Sequence, residues 1–588
     1  MYRIMKQHIE QLLKTALKQL EETDALPAMP AFIQVEATKD KQHGDFATNI
    51  ALILAKPAQK KPREVAEQII NALPTSAQVQ KIEIAGPGFI NFFLSAQALY
   101  DIVPRILSEK ASFARCKMGR EKRVLVEFVS SNPTGPLHVG HGRHAAFGAV
   151  VCNLLDAVGF KVYREYYVND AGRQMDILTV SIWLRYLSLC GENIIFPANA
   201  YRGDYIIDIA RAVKDKHGTE MQVPAQQVME NLPLDEPQGG DKELYIDAVI
   251  ERVKKILGVK YQIIFDEGLA GILADISDDL AEFGVQFDNW FSERQFVATS
   301  VVDKLLEKLR AGGHVYERDG ALWFRSTDFD DEKDRVLVRK NGQRTYFAND
   351  VAYHLSKFDR GFDIAIDIFG SDHHGYVPRM RAAMQACGIN PERLIHLLGQ
   401  FVTLYRSGKQ AQMSTRGGDF VTLRELRNEV GNDAARFFYV MRKYDQHIDF
   451  DLDLAKSQSN ENPVYYVQYA HARICSVFKQ LDERQWVYNE ANGLAHLDLL
   501  NEEHERQLLN TLSRYPDIIV DAALNYEPHL LTNYIRELAA DFHAYYNSHQ
   551  FLVEDAALRD ARLALITAVR QVLLNGFNIL GISPPESM

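Results

Sequence analysis

The run RVLVEFV (123–129) contains no helix former pattern and no breaker, the mark of a strand buried on both faces. SSNPTGP (130–136) follows as a tight, turn-rich loop. HVGHGRHAAFGAVVCNLLDAVG then reads as a helix ending at Gly159, and VYREYYV (162–168) as the next strand. Strand, glycine-bearing loop, helix, strand is a βαβ unit, and it commits this part of the chain to a parallel sheet.

The remainder of the sequence arranges itself around that unit. Apolar Ile9, Leu12, Leu13, Ala16, Leu17 and Leu20 form a helical stripe, and IEIAGPGFINFFL (82–94) reads as two strands around a Gly-Pro-Gly turn. Residues 191–300 mix helical and loop signals, including ELYIDAVIERVKKILG, as an insertion in an α/β domain would. The β pattern resumes at GALWF, VLVRKNG and FDIAIDIFGSDHHGY, TLRELRNEVGNDAARFFYVMR is helical, and long helical periodicity runs from Asn460 to the end. The expected fold class is multidomain α/β: a Rossmann-like parallel-sheet catalytic domain, a small α+β N-terminal domain and an all-α C-terminal domain. The expected boundaries are 1–115, 116–400 with an insertion near 191–300, a connecting region at 401–458, and 459–588. With 588 residues, several domains are needed in any case.

Composition removes some classes of function. Apolar residues make up 47% and charged residues 24%, the balance of a globular chain, and no apolar run reaches the roughly 20 residues of a membrane span. The first 24 residues carry Glu10, Glu21 and Glu22 and lack a continuous hydrophobic segment, so neither a secretory signal nor a transit peptide is expected and the predicted location is cytoplasmic. Cys116, Cys152, Cys190, Cys387 and Cys475 include no CxxC pair, so no structural zinc is expected. A net charge of −12 argues against indiscriminate nucleic-acid coating but leaves room for a local basic groove.

PLHVGH (136–141) concentrates the chemistry. Its helix begins near the histidines, and free N–H groups at a helix start attract phosphate. Glycine at 140 and 142 permits close approach to the backbone. His138 and His141, one turn apart, could both donate to a phosphate gaining charge. On spacing alone, half a metal site or a merely structural capping pair fits as well.

VEFVSSNPTGPLHVGHGR resembles the first signature of class I aminoacyl-tRNA synthetases, and specifically that of the arginyl-tRNA synthetases. HGDFATNIALILAK (43–56), REYYVNDAGRQ (164–174), SNENPVYYVQYAHARI (459–474) and the ending PPESM are similar to the same family, in the same order. The resemblance implies activation of L-arginine with ATP, supplied with Mg2+, followed by transfer to the terminal ribose of tRNA-Arg. Activation would depend on bound tRNA, and the enzyme would be a monomer with no membrane partner. It implies that His138 and His141 steady the ATP phosphates and that adenine packs on Gly140. Ser130 and Asn132 would hold the α-amino and carboxylate end of arginine, and Tyr346 and Asp350, in TYFANDVAYHL, the guanidinium. Asp170 is a second acidic candidate, although a lone aspartate is often only a helix cap. Tyr466 and Tyr469 would stack on anticodon bases, and the N-terminal domain would read the tRNA elbow.

Two segments depart from the family pattern. GSDHHGY (370–376) replaces a segment that supplies a glutamine in one branch, so His373 is expected at the ATP ribose or substrate pocket. Asp372, His373 and His374 are also compatible with a metal cluster. KQAQMSTRGGDF (409–420) matches the second class I signature at Met413 and Ser414. There Gln412, Thr415 and Arg416 stand where Lys, Lys and Ser are usual, and Gly135 stands where a compensating lysine sometimes lies. The missing charge is expected from Arg416 or Lys409. A class I enzyme for cysteine or glutamate, or a synthetase-like protein without activity, are the competing readings. The absence of zinc-type cysteine spacing and the presence of Tyr346, Asp350 and both histidines speak against them.

Overall fold

Val124, Leu125 and Val126 are wholly inaccessible to solvent, because strands lie on both sides of theirs and helices cover both faces of the sheet. The structure is a computed structural model that describes residues 2–30, 32–38, 41–411 and 421–588. It divides into two compact units, one of residues 117–457 and one combining 1–116 with 458–588.

In the first unit, β1 (Arg123–Glu127) leads through the turn-rich loop into α1 (Val139–Ala157) and β2 (Lys161–Val168), the βαβ unit read from the sequence. Five helices from Arg173–Leu189 to Tyr261–Glu282 intervene before β3 (Asn289–Ser292). After α2 (Tyr346–Asp359) come β4 (Ile364–Gly370) and β5 (Leu394–Gly399). All neighbouring strands are parallel, in the order β5-β4-β1-β2-β3. The chain order reverses between β1 and β4, and in such sheets ligands bind in the crevice beyond the carboxyl ends at that point.

GALWF and VLVRKNG do not extend this sheet. Ala321–Phe324 pairs with Val315–Arg318 on one side and with Arg335–Val338 on the other, in a separate three-stranded antiparallel sheet. The helical reading of 422–442 resolves into two helices, Leu423–Val430 and Asn432–Val440, because Gly431 takes φ +84° and ends the first.

In the second unit, the helix Tyr2–Glu22 buries Ile9, Leu13, Ala16 and Leu17 over an antiparallel sheet of four strands that includes Val79–Ala85 and Phe89–Leu94. The C-terminal helices Pro463–Glu483, Glu503–Leu524, Pro528–Ser548 and Ala556–Leu580 form a bundle. The two ends of the chain meet here: Asn575 Nδ2 donates to Lys110 O at 2.9 Å, and the Phe113 and Tyr515 rings stack at 5.9 Å. Among the described residues one helix, Ala556–Leu580, is long and apolar enough to cross a membrane, and two thirds of its most apolar stretch lies inside the bundle.

Candidate functional site

A crevice of about 960 Å³ opens beyond the carboxyl ends of β1, β4 and β5, where the strand order predicts a ligand. Of the residues singled out from the sequence, Ser130, Asn132, His138, Gly140, His141, Asp350 and His373 line it together.

The two histidines make a reciprocal cap for α1. His138 Nδ1 accepts from the N–H groups of Gly140 (3.0 Å) and His141 (3.4 Å), and His141 Nδ1 accepts from His138 N–H (3.3 Å). The rings stack at 3.6 Å. Burial lowers the pKa of both, and for His141 the neighbouring His138 and His144 add to it, so both rings are neutral near pH 7. Because Nδ1 is spent as an acceptor, the single proton of each neutral ring sits on Nε2, as a donor. Gly140 makes this possible: a Cβ there would stand 2.9 Å from the His138 ring. At Gly142 the close approach is made by Leu423 and Tyr439, not by a ligand.

The polypeptide flanking the second signature reaches the same place. Val139 N–H donates to Val421 O (3.2 Å) and Leu423 N–H to Leu137 O (2.8 Å), next to His138. Met413, Ser414 and Arg416 themselves lie outside the described residues, with Gln412 and Thr415. Lys409 is exposed on the short strand that pairs with Val402–Arg406, away from the crevice wall.

The loop after β1 is strained where it lines the crevice. Val129 (φ +66°) and Ser130 (φ +41°) occupy the left-handed region in succession, at a cost of about 1–3 kcal/mol each. The strain turns Ser130 Oγ to within 3.1 Å of both Glu127 Oε1 and Tyr167 N. Asn132 accepts from Asn169 Nδ2 at 2.9 Å.

Asp350 lines the crevice, and a second carboxyl, Glu293, stands near it without reaching the crevice wall, so that the two make an acidic recess. Burial pushes the Asp350 carboxyl up to about 6. Burial, with Asp350 and Asp170 nearby, pushes Glu293 up to about 7, and Glu293 is hydrogen-bonded to the Tyr167 hydroxyl. Among the described residues no lysine or arginine pairs with Asp350 or Glu293. Asp170 does not reach the crevice wall. Its carboxylate accepts from Ser292 Oγ (2.6 Å) and Arg294 N–H (2.8 Å), which anchors the short helix that carries Glu293. Tyr346 opens α2 and is 71% exposed, and its hydroxyl lies 3.7 Å from where a Gly172 Cβ would stand. Asp350 follows one turn later on the same helix face.

Beneath the recess, one row of polar residues crosses the whole sheet in register: His396 of β5, Asp367 of β4, Glu127 of β1, Glu165 of β2 and Asn289 of β3. The buried face of α2 answers it. Lys357 Nζ bonds Glu127 (2.7 Å) and Asp367 (2.6 Å), the Tyr353 hydroxyl lies 2.8 Å from Glu127 and 2.9 Å from Glu165, and Arg360 forks onto Glu165 (2.6 and 2.8 Å). Burial alone would raise the Asp367 pKa, but Lys357 and His354 outweigh it and hold the carboxylate far below its usual range.

Sequence reasoning passed over Glu127, Glu293 and His144. His144 continues the three-residue spacing of His138 and His141; it lines the crevice, burial holds it at about 4, and it bonds Tyr444 at 2.8 Å. Its neighbour Arg143 donates to Gln400 O and Lys443 O and so fixes the wall at 399–402. Glu293 has no local signal, since only the fold brings the end of β3 near Asp350. Asp372 and His373 stand exposed at its mouth and His374 is not part of its lining, so these three do not form a metal cluster.

In the helical bundle, Tyr466 sits 4.6 Å from the His543 ring and helps line a hollow of about 360 Å³. Tyr469 stacks against Tyr465 and lies under the Arg473 guanidinium, 4.4 Å away.

Comparison with known proteins agrees with this geometry. Three family models match in chain order: an arginyl tRNA synthetase N terminal domain over 7–94, a class I (R) tRNA synthetase catalytic domain over 102–187 and 275–457, and a DALR anticodon binding domain over 467–588. The arginine--tRNA ligase of Thioalkalivibrio sulfidiphilus is 58% identical over 99% of this chain and 100% of its own. That of Legionella pneumophila is 56% identical over the full length of both. The Thermus thermophilus arginyl-tRNA synthetase, 22% identical, shares the fold over 99% of this chain and 100% of its own, with a TM-score of 0.70. Relatives this similar from end to end, on a chain whose crevice holds a stacked histidine pair together with Asp350, leave one placement: the chain belongs to the arginyl-tRNA synthetase family of class I aminoacyl-tRNA synthetases.

Proposed function

We propose that this chain ligates L-arginine to tRNA-Arg, forming arginyl-adenylate from ATP and then passing the arginyl group to the terminal adenosine. The recess of Glu293 and Asp350 carries the reading. Buried Glu293 and half-buried Asp350, without a cation of their own among the described residues, suit a planar, permanently charged guanidinium, and its arrival draws both into the ionised form. Tyr346 closes the recess from above and Asp170 holds Glu293 in place. Ser130 and Asn132 orient the α-amino and carboxylate end toward the ATP.

ATP enters as its Mg2+ complex, with adenine against Gly140 and the ribose near His373. The arginine carboxylate attacks the α-phosphate in line and pyrophosphate leaves. Catalysis is then positioning and charge stabilisation, which the neutral Nε2–H donors of His138 and His141 provide without a proton transfer. Met413 and Ser414 belong to the loop that closes over ATP, and Arg416 or Lys409 supplies the charge of the absent lysine. A ribose hydroxyl, the 2′ by class, then attacks the adenylate carbonyl and releases AMP.

The insertion in the catalytic domain lies near 191–300, and the gap of the catalytic family model between 187 and 275 supports it. Residues 1–115 read the tRNA elbow, and the bundle from 459 reads the anticodon, with Tyr466 and Tyr469 as stacking platforms. The enzyme acts as a cytoplasmic monomer, and arginine activation requires bound tRNA. ATP–pyrophosphate exchange with each amino acid, with and without tRNA-Arg, tests this. Exchange with arginine alone, dependent on tRNA, is expected; exchange with another amino acid overturns the assignment.

A further inference from the structure

The hydrogen bonds of His354 fix its charge. Its side chain is almost wholly buried, with Nδ1 2.7 Å from the backbone oxygen of Asp350 and Nε2 2.9 Å from Asp367 Oδ2. Both neighbours are acceptors only. A neutral imidazole has a single N–H, so one nitrogen would turn a lone pair toward a carbonyl or a carboxylate. Turning the ring over would set carbon against both. The charge balance of the row agrees. Glu127, Glu165 and Asp367 face two permanent cations, Lys357 and Arg360, and one protonated histidine brings the group to neutrality.

We infer that His354 is a standing buried imidazolium, a positioning residue that ties the Asp350 turn of α2 to the sheet and whose charge keeps the Asp350 carboxylate ready for a guanidinium. The inference rests on the assignment of Asp350 to arginine. The charged groups around His354 pull both ways, the anions favouring its proton and the cations Lys357 and Arg379 opposing it. Asp367 of β4 is its anionic partner, and Glu127 of β1, bonded by Tyr353 and Lys357 from α2 itself, stands next in the row. Tyr376, 6.1 Å away, is held neutral by burial, and Arg379, on the helix Val377–Ala386, acts on Asp350 from the other side. His396 of β5, 3.5 Å from Asp367, does not take the proton: burial holds it at about 4, and its ring nitrogens have no hydrogen-bond partner among the described residues.

His354, Asp367 and His396 also have the make-up of a metal site. Ligands of a tetrahedral zinc ion with bonds of ~2.0–2.1 Å stand about 3.3 Å apart. The His354–Asp367 spacing is a hydrogen bond instead, and Lys357 already occupies the other Asp367 oxygen.

The test follows arginine kcat/KM against pH in tRNA-supported pyrophosphate exchange, for the full-length enzyme, H354Q and D350N. In H354Q the acid limb should move up by about one pH unit, so that the arginine KM rises about threefold near pH 6.5 and recovers at pH 8.5. The ATP KM should stay within about twofold, the neutral amide keeping the bond to Asp367 but losing the charge. An unmoved limb, or a loss equal at every pH, overturns the inference. If D350N also leaves the arginine KM unchanged, the arginine assignment itself has failed. Neutron diffraction from the unaltered enzyme at pH 7.5 needs no variant to fold: deuterons on both His354 ring nitrogens are expected. A single one, or a metal ion between His354 and Asp367, overturns the inference.

Discussion

Replacing Asp350 by asparagine should weaken the enzyme and stabilise it at once. The carboxyl is pushed from the usual 3.8 to about 6 by burial, so the folded state binds its proton more tightly than the unfolded state does. Ionised Asp350 therefore costs stability, from nothing below pH 4 to a full penalty above pH 6. At 1.36 kcal/mol per pKa unit the penalty is at most about 3 kcal/mol, reduced by the solvent that reaches this half-buried group. D350N removes it, so the unfolding midpoint at pH 8 should rise by a few degrees and the gain should vanish near pH 4. Binding moves the other way. Removing one carboxylate from a desolvated guanidinium pair loses about 2–5 kcal/mol, so the arginine KM should rise roughly 30-fold or more while the ATP KM holds. Thermal melts from pH 4 to 8 and pyrophosphate exchange over arginine concentration read the two effects. An unchanged arginine KM, or a D350N enzyme less stable than its parent at pH 8, would refute the reasoning.

H141A removes one Nε2 donor and should slow activation by roughly 10²–10³-fold with the arginine KM within about twofold, checked by exchange kinetics. K357M leaves Glu127 and Asp367 facing each other without their shared cation and should cost about 3–5 kcal/mol, seen as a lower urea midpoint. Of K409A and R416A, one should slow exchange about tenfold if it stands in for the absent lysine, and two unaffected variants would place that charge elsewhere.

Local rules read the skeleton of the catalytic unit well. Val124–Val126 announced a buried strand, Gly159 a helix end and His138 a helix start, because each depends on residues next to it in the chain. His138, His141, Ser130 and Asn132 were legible for the same reason, since they share one loop. Glu293 was not. Its partner Asp350 is far away in sequence, and nothing in SERQF states that the end of β3 points at α2. The polar row was hidden in another way: Asp367 sits inside IAIDIFG, an apolar run in which a single aspartate reads as an interruption. Only the parallel register sets it beside Glu127 and His396. Gly431 shows the limit of periodicity, which ran through a break that one positive φ imposes.

The central claim is that the Glu293–Asp350 recess takes the side chain of arginine. A crystal structure of the enzyme with L-arginine and a non-hydrolysable ATP analogue tests it most directly. The guanidinium should lie within about 3 Å of both carboxylates, with the arginine carboxylate turned toward the α-phosphate beside His138 and His141. Arginine bound with its guanidinium elsewhere, and the recess left to solvent, would contradict the account.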